Sequence, residues 1–525
     1  MKLENLIAGR WAQGHGEGAP LHDPVTGETI AIADSDGANL AAGLAYARQT
    51  GAAALRALTY AQRANLLTAI AETLGRHRDA YFDLARRNSG SPKSDAAIDI
   101  DGAIYTLKTY ARAGKALGDA RRLAEGAAHP LSKDGSFQAR HYLVPRQGAA
   151  VFINAFNFPA WGLWEKAAPA LLAGVPVFAK PATPTAWLAQ RMVRDVVDAE
   201  VLPDGALSIV CGAARSLLDH VNETDVVSFT GSSDTALRVR THPAVVGAAV
   251  PVNVEADSVN AAILGPDAAP GSRAFALLVA EVVREITQKA GQKCTAIRRV
   301  FVPAARAHEI IDAIGAELAK VKVGNPANPE VTMGPLVNRA QRIAALEGIE
   351  SLLQECQRVT GDPAHFALVD ADPEVGAFVP PTLLFCPQAA DARRVHEVEV
   401  FGPVATVIPY ASTAEAISLV RRGRGSLVAS VFSSDAAFLD QFVPAIADLH
   451  GRILVVDAAV DSRHTGHGNV MPTCIHGGPG RAGGGEELGG LRALGFYHRR
   501  VAVQGSAARH DALSREAADA ALLMS

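Results

Sequence analysis

Long apolar stretches are scarce in this chain. The longest, residues 167–179, is 13 residues interrupted by Pro169, Gly174 and Pro176, too short to span a bilayer. The N-terminal MKLENLIAGRWAQG has no apolar segment behind a basic start, so no secretory signal is expected. Cysteine is scarce too. Cys211, Cys294, Cys356, Cys386 and Cys474 are odd in number and widely spaced, with no CxxC pair, which argues against a disulfide or zinc framework and for a reducing, cytoplasmic setting. There is little excess charge: the net value is −4 and charged residues make up 20% of the chain. Neither nucleic acid nor an anionic membrane is an expected partner.

What is abundant is core. With 525 residues, 49% of them hydrophobic, the chain is long enough for two or three globular domains. After short strands and turns, helices are expected from Asn39 to about Ala128, and residues 138–145 (QARHYLVP) then read as an isolated strand belonging to another layer or another subunit. Between Gly148 and Glu255 short apolar runs at 149–154, 175–180, 207–210, 226–229 and 252–255 alternate with helical segments. That alternation indicates a doubly wound parallel sheet, which binds ligands at the carboxyl ends of its strands. Asn157, Lys180, Gly231, Ser232 and Glu255 fall at those ends. No GxGxxG follows the first strand, so an ordinary Rossmann pyrophosphate loop is not expected. A second alternation runs from about Ala261 to Val456. Residues 457–490 lose all periodicity and read as one long loop, 491–504 turn extended again, and the last residues read as a helix.

One loop is singled out. The helical run 274–289 stops at Gly291 and delivers Cys294 onto a polar segment, AGQKCTAIRR, before the apolar run 300–302. A reachable, ionisable thiol is a nucleophile, whereas a buried one behaves as a small hydrophobe, and the loop alone leaves both readings open.

Seven short motifs in order, AFNFP (155–159), FAKPA (178–182), SFTGSS (228–233), VEADS (254–258), GQKCTAIRR (291–299), MGPL (333–336) and EVFGPV (399–404), resemble the aldehyde dehydrogenase superfamily over almost the whole chain. The resemblance implies a Rossmann-like cofactor domain (1–128 and 149–257), an α/β catalytic domain (258–470), a small β oligomerisation arm with a substrate loop (129–148 and 471–510) and a C-terminal helix (511–525). It makes Cys294 the nucleophile that forms a thiohemiacetal, Glu255 the general base and Asn157 the oxyanion donor. It assigns Ile153, Phe156, Lys180, Thr183, Gly231, Ser232, Glu399 and Phe401 to the cofactor. Many NAD-preferring members carry a glutamate where Thr183 stands, and a neutral threonine beside Lys180 would accept a 2′-phosphate; the expected cofactor is NADP, with NAD possible. A homodimer bridged by the arm is implied.

Three segments depart from the family pattern. EADSVN replaces the usual base motif, RRGRGSL (421–427) is unusually basic, and residues 473–490 are unusually rich in glycine. The first and last resemble members that act on CoA-linked semialdehydes in aerobic aromatic degradation. Arg421, Arg422, Arg424 and Arg481 are then candidates for the CoA phosphates. The alternatives are a dehydrogenase of free aldehydes, a CoA-acylating reductase and, remotely, a non-catalytic relative. His464, His467, Cys474 and His476 lack a compact ligand spacing, so no metal is expected.

Overall fold

The computed structural model describes residues 1–524. Two seven-stranded sheets organise it. The first has the order Val252–Glu255, Val226–Thr230, Ala150–Ile153, Val177–Lys180, Leu207–Ile209, Glu4–Ile7, Arg10–Gln13. Its first five strands are parallel and the Glu4–Ile7 hairpin strand is added antiparallel. The parallel strands are almost wholly buried, as strands covered by helices on both faces must be. Register aligns their carboxyl ends: Ile153 lies opposite Lys180, and Thr230 opposite Glu255.

The second sheet has the order Gln357–Thr360, Thr382–Phe385, Val404–Tyr410, Arg299–Pro303, Ala261–Leu264, Ser426–Phe432, His450–Val456, parallel except at its first strand. The helix Arg273–Thr287 covers it. Ser272 caps that helix by accepting the Phe275 N–H, and Leu278, Val282 and Ile286 bury one stripe. Among the described residues no helix is long and apolar enough to cross a membrane.

Two expectations need correction and a third is resolved. Residues 122–130 are a strand, not the end of a helical region, so the boundary expected after 128 falls inside it. The 138–145 segment belongs to another layer, one of the two alternatives expected, with its partners in the same chain: Phe137–Pro145 lies between Arg122–Pro130 and His498–Ser506, in an arm completed by Ala517–Asp519. The C-terminal segment is a helix at Ala507–Ser514, then that short strand and a 3-10 turn, rather than a helix over 511–525; Ser525 lies outside the described residues.

The supposed loop at 457–490 also contains structure, a hairpin of Ile475–Gly478 and Gly485–Leu488. Its glycines let it lie against the strand that carries Glu255. Gly483 has φ +106°, and a Cβ there would meet the Val254 carbonyl oxygen at 2.3 Å. Left-handed backbone and backbone contact both exclude a side chain. Gly483→Ala is expected to cost at least about 2 kcal/mol of stability and to lower activity by displacing the hairpin; an unchanged denaturation midpoint would refute the close packing.

Candidate active site

The site lies between the sheets, where strand ends of the first face a loop leading into the second. Glu255 is the last residue of Val252–Glu255 and is fully buried. Asn157 sits between the strand Ala150–Ile153 and the helix Trp161–Ala173. Cys294 comes from the loop before Arg299–Pro303 and is half-buried. The three line one small cavity. Cys294 is also in the wall of a larger cleft of about 570 Å³, lined mainly by apolar groups such as Ile98, Tyr105, Phe158, Trp161 and Met471.

The cysteine loop is held under strain. Lys289 and Ala290 have φ of 53° and 50°, and Gly291 has 68°; side chains in this region cost about 1–3 kcal/mol each unless their surroundings fix them. Here the surroundings do so. The Lys289 N–H donates to Asp95 at 2.7 Å. Arg298 donates to the carbonyls of Gly291, Lys293 and Gly402. Asn260 Nδ2 donates to the carbonyls of Cys294 and Ala296 at 2.7 and 3.0 Å. Gly291 packs so closely that a Cβ would meet the Gly402 carbonyl oxygen at 2.1 Å.

Sequence reading missed Asn260, Arg298 and the buried charges around Glu255. Glu255 Oε2 lies 2.9 Å from His476 Nε2, with both side chains 2% exposed. Lys166 Nζ contacts Glu165 at 2.7 Å and Glu487 at 2.9 Å, and Glu487 also accepts from Ser228 and Asn253. Burial pushes Glu165 up to about 8, against the pull of Lys166. Burial opposes the charge on Glu255, but His476 and Lys166 outweigh it and lower its pKa. Burial, followed by the charge of Glu255, holds the Cys294 thiol well above its ordinary range. The resting pair is therefore thiol and carboxylate.

The residues expected to meet a cofactor are placed along the strand ends. Ile153 and Lys180 are neighbours in register, and burial lowers the Lys180 pKa. Thr183 opens a 3-10 turn just beyond that strand. The Phe156 ring meets Phe401 edge-on at 5.7 Å. Ser232 caps the helix Ser233–Arg240, and the Gly231 N–H donates to the Glu255 carbonyl oxygen. The EADS departure has a use: Asp257 accepts the Ser233 N–H, and the Ser258 N–H donates to Glu399 Oε2. Glu399 Oε1 is buried with no partner among the described residues, and burial pushes this carboxyl up to about 7 against Arg298. A buried acceptor left open suits a ligand hydroxyl, so these residues fit a dinucleotide.

Three of the four candidate arginines are engaged within the chain. Arg421 is paired with Asp448 and donates to the Ala445 carbonyl, Arg422 donates to the carbonyls of Ala389, Ala390 and Ala392, and Arg481 to those of His396 and Glu397. None of these, nor Arg424, lines the cleft, whose basic residues are Lys293 and His476. Of the four residues weighed as metal ligands, only His476 joins a potential ligand cluster among the described residues, with Glu255 and Cys294.

A thiol beside a carboxylate, at the strand ends of a dinucleotide-type sheet, is an arrangement that fits a dehydrogenase working through a cysteine. The chain belongs to the aldehyde dehydrogenase family, whose model matches residues 11–489. It is an oxidoreductase acting on an aldehyde group, in a family that uses NAD(P). It is 63% identical over 479 residues to the 3,4-dehydroadipyl-CoA semialdehyde dehydrogenase of Aromatoleum evansii, covering 91% of this chain and 93% of that one. Its fold matches an NAD+ complex of a Bacillus cereus aldehyde dehydrogenase (TM-score 0.82, 24% identity, 97% of each chain). It also matches 3,6-anhydro-L-galactose dehydrogenase in complex with NADP (TM-score 0.84, 22% identity, 96% of this chain and 100% of that one).

Because burial and Glu255 hold the thiol protonated, alkylation of Cys294 by iodoacetamide in the cofactor-free protein is expected to be slow at pH 7 and to accelerate as pH rises past the ordinary thiol range. The test uses a Cys474→Ala background, which removes the exposed cysteine. Fast, pH-independent alkylation between pH 6 and 8 would show instead a resting thiolate.

Proposed function

We propose that this enzyme oxidises the aldehyde end of a CoA-linked semialdehyde, of the 3,4-dehydroadipyl-CoA semialdehyde type made in aerobic aromatic degradation, to a carboxylate with NADP. The observation that carries the reading is the convergence of Cys294, Glu255 and Asn157 on one cavity, in a chain 63% identical to a dehydrogenase of that name.

Glu255 takes the Cys294 proton as sulfur attacks the aldehyde carbon. Asn157 and the Cys294 N–H donate to the alkoxide, a kind of contact worth roughly 3–4 kcal/mol per donor. The bound dinucleotide supplies the hydride acceptor that turns the thiohemiacetal into a thioester. Glu255 releases the proton it took from Cys294 to solvent and then, as carboxylate again, activates water for hydrolysis, which favours release to water over release to CoA, since thiolysis needs no such base. Lys180, Thr183 and Ile153 hold the adenosine half, Gly231 and Ser232 the phosphates, and Glu399, Phe401 and the neighbouring Phe156 the nicotinamide riboside. The NADP preference rests on Thr183, where a carboxylate would repel a 2′-phosphate. The first sheet is accordingly the core of the cofactor domain and the second that of the catalytic domain.

The apolar cleft takes the acyl chain, so the CoA phosphates are met outside it. We also infer a homodimer: the nine-residue edge strand His498–Ser506 leaves one side unpaired and most of its side chains exposed, a surface that folded proteins usually cover. Five free cysteines, Cys474 exposed among them, support a cytoplasmic setting.

With NADP, kcat/KM for the CoA-linked semialdehyde is expected to exceed that for a short free aldehyde, and that with NAD, by at least about tenfold, or 1.4 kcal/mol. Cys294→Ala is expected to abolish both activities. Equal efficiency on both aldehydes would remove the substrate assignment, and a clear NAD preference the cofactor assignment.

A further inference from the structure

We propose that His476 is a positioning residue for Glu255, a cation that keeps this buried carboxylate ionised and turned toward Cys294. The proposal rests on reading Glu255 as the base. His476 Nε2 lies 2.9 Å from Glu255 Oε2, in a contact off the line of a hydrogen bond, so what it supplies is charge. The other carboxylate oxygen, Oε1, is buried with no hydrogen-bond partner among the described residues. The ligand atoms of Glu255, Cys294 and His476 all lie within 4.8 Å of one another. One oxygen is thus held by the imidazole and the other is left for the reaction.

The imidazole is fixed from two sides. The indole of Trp161, at the start of the helix Trp161–Ala173, meets it edge-on at 5.2 Å. Its backbone is in the glycine hairpin, opposite Glu487 in register. The groups that face it are Glu255 from the strand, Glu165 and Lys166 from the helix, Glu487 from the hairpin and Cys294 from the loop. Burial disfavours a charge on His476, but Glu255, then Glu165 and Glu487, raise its pKa and so favour the cation. Without this cation, burial would drive Glu255 toward its neutral acid, which cannot accept a proton.

The consequence falls on both steps that need the carboxylate, the attack by Cys294 and deacylation. Water adds to the acyl carbon of the thioester and gives one proton to Glu255. The C–S bond breaks, with sulfur leaving as thiolate. Glu255 hands its proton to that sulfur, and the carboxylic acid product ionises in water. His476 stays charged throughout and exchanges no proton.

The test compares wild type, His476→Gln, Glu255→Gln and the double variant in rapid mixing with NADP and the semialdehyde from pH 5.5 to 9. Removing the cation raises the pKa of Glu255, so activity that needs its carboxylate should be lost at lower pH and regained at higher pH. His476→Gln is expected to slow both the NADPH burst and the steady turnover at pH 7, the latter at least tenfold, with both recovering as pH rises. The acid limb of its kcat profile should move up by at least one pH unit, and the change should add nothing to Glu255→Gln. A wild-type acid limb and rate in His476→Gln, or a deficit that multiplies that of Glu255→Gln, would overturn the proposal. Should the glutamine variant not fold, His476→Asn carries the same comparison. Full hydrolytic turnover by Glu255→Gln would instead overturn the reading of Glu255 as base.

Discussion

A carboxylate removed from water beside a thiol must be neutralised or it will take a proton. The structure resolves this at Glu255 with a compensated set of charges. Lys166 faces Glu165 and Glu487, and His476 faces Glu255. The ions are donated by separate parts of the fold: the strand Val252–Glu255, the helix Trp161–Ala173 and the hairpin at 475–488. Removing one partner of such a set leaves an uncompensated buried charge, which costs about 3–5 kcal/mol. The site therefore ties the placement of the hairpin to the charge state of the base.

A second constraint is the strained loop that presents Cys294. Three consecutive residues in left-handed backbone are stable only because Asp95, Asn260 and Arg298 meet the loop's polar groups from different elements. Asn260 belongs to the segment that carries Glu255, and it also accepts the Val428 N–H while Ser258 bonds its carbonyl oxygen. The departure from the usual base motif is thus a brace that links base, nucleophile loop and second sheet.

Much of this was legible from sequence. The parallel strands read as short apolar runs because both of their faces are buried, and the catalytic candidates stand in motifs at their ends. Other parts were not legible, for reasons of range. RLAEGAAHP has no alternation and is a strand only through pairing with Phe137–Pro145. Glycine made 475–488 look like a loop, although glycine is what lets the hairpin approach Val254. The arginines at 421–424 suggested phosphate binding, but two of them serve carbonyls and Asp448 at the end of a helix. His476 was weighed only as a metal ligand, because nothing local indicates that it faces Glu255.

The central claim is that Cys294 carries the acyl group and Glu255 directs water to it. The most direct measurement is the intact mass of Glu255→Gln after mixing with NADP and excess semialdehyde, followed by peptide mapping. The account predicts slowed acylation that ends in one acyl group per chain, on Cys294, persisting over many wild-type turnover times. An unmodified protein that has still produced NADPH at the wild-type rate, or an acyl group on another residue, would contradict it.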